Sequence, residues 1–187
     1  MRVRLILLAV FLGLWAGPTA CAHPAQIILL RHAEKPADDH DEHLSERGIL
    51  RAQALPGLIL SNSVLAAYGP PVALYVPEHT LHRQSRRPFD TLKPLSERLR
   101  LPVLMPHPAR STSLLAREIL ENPAYDGKTV VVCWVHDFLP DLAQALGVKD
   151  QKWSGTVFDR CWVIRFKHDR PFLFKVPQRL LPGDAEK

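Results

Sequence analysis

Seven consecutive residues at 129–135, "TVVVCWV", carry no charge and a single hydroxyl. A strand with one face in water alternates apolar and polar residues, whereas this run does not, so both of its faces must be covered. Shorter strand-like runs stand at 26–30, 72–76, 162–166 and 172–176. Helix-like segments separate them, at 44–60 behind a Ser45 cap and interrupted late by Pro56, at 89–99, at 113–120 after Ser111-Thr112, and at 138–146 before Gly147. Asp126-Gly127 turns the chain into the 129–135 run, and His168-Asp169-Arg170-Pro171 reads as a hairpin turn. Strands alternating with helices predict an α/β fold, a three-layer α/β/α sandwich with a mainly parallel central sheet.

The 187 residues suit one domain. Arg2 and Arg4 precede an apolar run from Leu5 to Trp15, and Ala20-Cys21-Ala22 has the small-x-small pattern of a cleavage site. Residues 1–22 therefore read as a signal peptide cleaved after Ala22, with 23–187 as a single exported domain, periplasmic or secreted. The rival reading makes Cys21 the lipidated first residue of a lipoprotein, which is the one route to a membrane; Pro18 stands where such a signal usually has Leu. The remaining 165 residues hold 22 Lys and Arg against 19 Asp and Glu, a net charge of +3. That scattered excess suits small anions and argues against a nucleic-acid surface, which needs a denser basic stripe. Cys133 and Cys161 lie in strand-like runs; in an oxidising compartment they could pair, and two buried thiols is the simpler expectation.

Ligands of open α/β sheets bind beyond the carboxyl ends of the strands. Arg31-His32 and His136-Asp137 both stand at such ends, so two separate strands deliver similar residues to one edge. A neutral imidazole held in one tautomer can act as a nucleophile. A phosphate monoester is its natural target when fixed cations surround the phosphoryl group, a task suited to the planar fork of arginine. Arg31 stands beside His32, and Arg83, Arg86 and Arg87 precede a predicted helix. Such chemistry also requires a general acid for the leaving alkoxide.

These residues resemble a known family. "LLRHAEKP" is similar to the Arg-His-Gly/Ala motif of the histidine phosphatase superfamily, which includes phosphoglycerate mutases and acid phosphatases. "LSERGILRAQAL" resembles its second block, Leu-Ser/Thr-x-x-Gly with a downstream Gln-Ala, and "SRRPFDTLKPLSERLRLPV" its Ser-Arg-Ala-x-Gln-Thr segment, in which Thr91 as anchor puts the pocket arginine at Arg87. "VVVCWVHDFLPDLAQALG" resembles the strand bearing the second histidine, here His136. "VFDRCWVIRF" and "QRLLPGD" read like the ends of an uncharacterised exported bacterial branch.

The resemblance implies a phosphoglycerate mutase-like fold and hydrolysis of a small phosphorylated molecule through a phosphohistidine on His32. Arg31, Arg87 and His136 would hold the phosphoryl oxygens, with no metal or other cofactor required. The proton donor stays open between Asp137, as in the acid-phosphatase branch, and Glu78 near the end of the second strand. Ala33 for Gly, Pro88 for Ala, Asp90 for Gln and Asp137 for a small residue depart from the common pattern and leave the substrate open. The alternative function is a non-catalytic binding protein for phosphorylated ligands. Glu34 is expected either to orient Lys35 or an arginine or, with Lys35, to mark a solvated strand end. The segment "PADDHDEHLSERG" offers Asp38, Asp39, His40, Asp41, Glu42 and His43 to a divalent metal, though a flexible acidic loop is the simpler expectation. The C-terminal "PQRLLPGDAEK" reads as a surface tail.

Overall fold

A computed structural model describes residues 23–38, 40–78 and 85–185. The proposed leader 1–22 with Cys21, and also Asp39 and Arg83, lie outside the described residues. Among the described residues no helix is long and apolar enough to cross a membrane.

The strands are β1 (Gln26–Arg31), β2 (Pro71–Tyr75), β3 (Val103–Leu104), β4 (Thr129–Trp134), β5 (Arg160–Lys167) and β6 (Arg170–Pro177). They form one sheet in the order β3-β2-β4-β1-β5-β6. β1 to β4 are parallel, β5 runs antiparallel beside β1, and β6 runs antiparallel to β5 at the edge. The helices are α1 (Glu46–Ser61), α2 (Arg87–Leu99), α3 (Thr112–Glu121) and α4 (Leu139–Ala145). Side chains alternate between two cores: Ile28, Leu30, Val131 and Cys133 meet Leu55, Ile59, Leu92 and Leu95 of α1 and α2 on one face. Ile27, Leu29, Val130, Val132 and Trp134 meet Leu115, Ile119, Leu139 and Leu142 of α3 and α4 on the other. All six residues of β4 are buried, as an apolar run covered on both faces must be.

Several expectations shift. Helix α1 starts as predicted, with Ser45 accepting from the Gly48 amide, but it runs through Pro56 without interruption. An internal proline costs about 3 kcal/mol. The neighbouring Leu55 and Ile59 are fully buried, and at about 1.5–3 kcal/mol each they offset that loss. Helix α2 begins two residues early, at Arg87, because Pro88 falls in the first turn, where its missing N–H is no loss. The two-residue β3 carries too little pattern to read from sequence. The segment at 138–146 is divided into a 3₁₀ turn at His136–Phe138 and α4, with Gly147 beyond it at φ +92. The hairpin between β5 and β6 turns on His168 and Asp169, both left-handed at φ 50 and 60, the geometry that a two-residue turn needs.

Cys133 and Cys161 are both free and buried. Leu30 is in register with each of them, so β1 stands between the two. Two strand spacings put them about 9.5 Å apart, beyond the roughly 7 Å limit for a disulfide.

The C-terminal segment is not a surface tail. Gln178 is buried, and the Asp184 carboxylate is only 3% exposed, bonded to the amides of Leu180 (2.9 Å) and Leu181 (3.1 Å). Nor is Glu34 a solvated strand end: its carboxylate takes bonds from Arg51 and Arg47, while Lys35 is exposed.

Candidate active site

The sheet order explains where the site forms. From β1 the chain crosses to β2 on one side, and from β4 it crosses to β5 on the other. The two strands are neighbours, so their carboxyl ends open a crevice between diverging connections. Arg31 is in register with Trp134, and the His32 amide donates to the Trp134 carbonyl at 3.2 Å. His32 and His136 therefore stand side by side just past the ends of adjacent strands.

His32 is 3% exposed. Its Nδ1 lies 2.7 Å from the Ala33 carbonyl oxygen. A carbonyl only accepts, so Nδ1 carries the proton and the neutral ring keeps its lone pair on Nε2. Burial pulls the His32 pKa down to about 4, and the charges of Arg31, Arg87 and His136 add to that against the Ala33 bond. The imidazole is therefore neutral at pH 7 in one tautomer. Thr91 braces the loop that sets this geometry: its Oγ1 accepts from the Ala33 amide at 2.9 Å and donates to the Arg87 carbonyl at 2.7 Å.

Arg31 is also 3% exposed. Its guanidinium lies over the Phe158 ring, 3.7 Å from the centroid, and donates to the carbonyls of Gly155 and Val157. Burial pulls its pKa down to about 10, with Arg87 adding and Asp137 opposing, so it stays charged. Its Nε is buried and finds no hydrogen-bond partner among the described residues. Arg87 opens α2 and donates to the carbonyls of His43 (3.2 Å) and Asp41.

His136 presents a second orphan, a buried Nδ1 without a partner among the described residues, while its Nε2 lies 3.2 Å from Asp137 Oδ1. Burial and the charge of Arg31 lower the His136 pKa against Asp137. Two buried polar nitrogens without a partner among the described residues, each costly to leave bare, thus belong to Arg31, next to His32 in the chain, and to His136 past the adjacent strand end. Gly155 packs closely here: a Cβ on it would stand 3.1 Å from His136 Nε2, so the ring would have to give by a few tenths of an ångström.

Of the predicted residues, Arg31, His32, Arg87 and His136 come together, with Asp137 beside them and 69% exposed. Glu78 is exposed and lines an adjacent cleft of about 230 Å³ with Pro77, Pro88, Ala109, Val135 and Phe138. Arg86 is an exposed helix entry near Asp90. In the acidic loop, Asp38 and Asp41 cap the amides of His40 and His43, both at 2.9 Å, and His43 Nδ1 pairs with Asp90 at 3.0 Å. Among the described residues no three His, Cys, Asp or Glu side chains are grouped as a metal site.

Sequence reasoning missed Gly155, Val157 and Phe158. It assumed a mainly parallel sheet, in which the segment before a strand lies at the far edge. β5 is antiparallel, so its first residues stand beside Leu30 and deliver 155–158 to the ligand edge. The Ser-Gly turn signal at 154–155 was the one available hint.

The fold is that of solved histidine phosphatases. The protein histidine phosphatase SixA, complexed with tungstate, superposes with a TM-score of 0.54 at 12% identity, over 82% of this chain and 97% of that one. A mycobacterial glucosyl-3-phosphoglycerate phosphatase with inorganic phosphate matches at 0.50 and 17% identity, over 80% and 95% of the two chains. A structure described as mycobacterial hydrolase 2 matches at 0.50 and 16%, over 80% and 88%. No family model matches the chain, and no curated protein matches it by sequence.

Proposed function

We propose that this chain, sharing the fold of those phosphatases, is a phosphohydrolase that cleaves small phosphomonoesters through a phosphohistidine on His32. The observation that carries the reading is the His32 ring, buried, neutral and fixed by the Ala33 carbonyl with its Nε2 lone pair available. In the first step Nε2 attacks phosphorus, the P–O bond to the leaving group breaks, and a carboxylic acid protonates the departing oxygen. Water then attacks the phosphohistidine, giving its proton to that carboxylate and returning inorganic phosphate and free His32. Arg31 and Arg87 supply fixed positive charge to the phosphoryl oxygens. His136 donates to a phosphoryl oxygen from Nδ1 in the tautomer that carries its proton there.

Asp137 is assigned as the proton donor, with Glu78 at the cleft mouth as the alternative. Export of residues 23–187 after cleavage of the leader belongs to the same reading, since removal from the cytoplasm favours hydrolysis over mutase chemistry. Phosphate release from an aryl phosphate tests the assignment. His32→Ala is expected to lower the rate at least about a thousandfold. Equal rates for wild type and His32→Ala would leave a phosphate-binding protein of the same fold.

A further inference from the structure

We propose that Arg51, with Glu34 and Asp184, is a positioning device for His32, so that the C-terminal segment is part of how the site is built. The inference rests on His32 being the nucleophile. Arg51 projects from α1 and is 2% exposed. Its fork grips both Glu34 oxygens, from Nε at 2.9 Å and Nη2 at 2.7 Å. The same guanidinium grips both Asp184 oxygens, from Nη1 at 2.8 Å and Nη2 at 2.7 Å, and Nη1 also meets Gln178 Oε1 at 3.1 Å. Arg47 adds a second cation on the outer side, 3.1 Å from each carboxylate. Two carboxylates are thus matched by two guanidinium groups.

Buried ion pairs are weak evidence for stability, because packed apolar side chains often do as well. What such a network supplies is geometry, and here it holds Glu34, two residues past the nucleophile. The Ala33 carbonyl that fixes the His32 tautomer belongs to the peptide joining Ala33 to Glu34. One side of that peptide is anchored by the Ala33 amide on Thr91. The other side is anchored by the Glu34 carbonyl, which accepts from the Ser45 amide (2.9 Å) and Ser45 Oγ (3.2 Å), and by the Glu34 carboxylate on Arg51. Gly48 lets the loop lie this close to α1, since a Cβ there would stand 2.3 Å from the Glu34 carbonyl oxygen. Asp184 completes the hold from the far end of the chain. β6 ends opposite Arg160, at the ligand edge, so the segment that follows reaches Arg51 directly. With Asp184 neutralised, Arg51 remains buried with half its counter-charge, and its grip on Glu34 is no longer unique.

The test compares Asp184→Asn, Arg51→Met and Arg51→Lys with Ile119→Val, a core change in the opposite layer that controls for simple destabilisation. Asp184→Asn and Arg51→Met are expected to lower kcat by about tenfold to a hundredfold, the scale of a small misplacement of a reacting group, with KM within about twofold. Arg51→Lys restores part of the loss, and Ile119→Val leaves kcat near wild type. Nitrogen-15 NMR of the His32 ring gives a readout independent of turnover. In wild type it shows the Nδ1-protonated tautomer alone, and in Asp184→Asn a mixture of tautomers. A His32 spectrum unchanged in Asp184→Asn and Arg51→Met overturns the proposal, as does an equal fall in kcat for Ile119→Val. A wild-type chain that releases no phosphate but shows the tautomer change refutes the phosphatase reading and supports the positioning role.

Discussion

Arg31 and His32 are each 3% exposed and are tied to backbone carbonyls, whereas Asp137 beside His136 and Glu78 on the adjacent cleft stand exposed. On the proposed function, the contrast follows from what each end would have to do. A phosphoryl group is the same in every monoester, so the residues that meet it can be set by strand ends and sheet register. Leaving groups differ, and the carboxylates that would serve them sit on loops and a 3₁₀ turn, where side chains adjust at little cost. Under the proposed function, the chemistry would be rigid at the phosphate and adjustable at the leaving group.

The largest effect in that contrast is expected at the buried end. Arg31→Ala removes a fixed cation and should lower kcat/KM by about a hundredfold to a thousandfold for every monoester tested, in steady-state phosphate release. At the exposed end the loss should depend on substrate. Asp137→Asn is expected to lower kcat about a hundredfold for an alkyl phosphate, whose alkoxide needs a proton, and only slightly for a nitrophenyl phosphate. If Glu78→Gln shows that pattern instead, the donor role passes to Glu78.

A pH series sharpens the comparison further. An unfolded chain holds His32 near about 6.5, and the folded one holds it at about 4. Between those values the unfolded chain binds more protons, so the stability linked to this ring is complete above about 6.5 and is lost as pH falls through about 4. Urea midpoints should fall across that window, with a shallower fall in His32→Gln, and the acid limb of kcat/KM due to this ring should lie near 4. The smallest effect belongs to Phe158→Leu, which removes the ring under Arg31; at about 0.5–1 kcal/mol this lowers kcat/KM by roughly two- to fivefold.

The candidate edge was legible because it depends on few, strong signals. An unbroken apolar run marks a central strand, and polar residues placed just past two such runs must share an edge once the strands are parallel neighbours. Arg31, His32 and His136 follow from that alone. The direction of β5 did not follow, since its apolar pattern is the same read either way, and the roles of Gly155 and Phe158 were lost with it. Asp184 was unreadable for another reason. A short polar segment after the last strand looks like a solvated end unless its partner is known, and Arg51 lies 133 residues away. Ser45 and Gly48 were visible as a helix start, but the close approach of Glu34 to Gly48 is a tertiary fact.

β1 lies at the centre of the sheet, yet both of its neighbours come from the later part of the chain. Gln26 pairs with Thr129 on one side and Arg165 on the other. Before those strands have been synthesised the strand that leads to His32 lacks both of its neighbours, and closing such long loops is a slow step. The His32–His136 edge cannot be pre-assembled on an N-terminal fragment, so in a growing chain it would stay unformed until β5 had emerged. Refolding should accordingly show strand β1 gaining amide protection together with β4 and β5, in one late event.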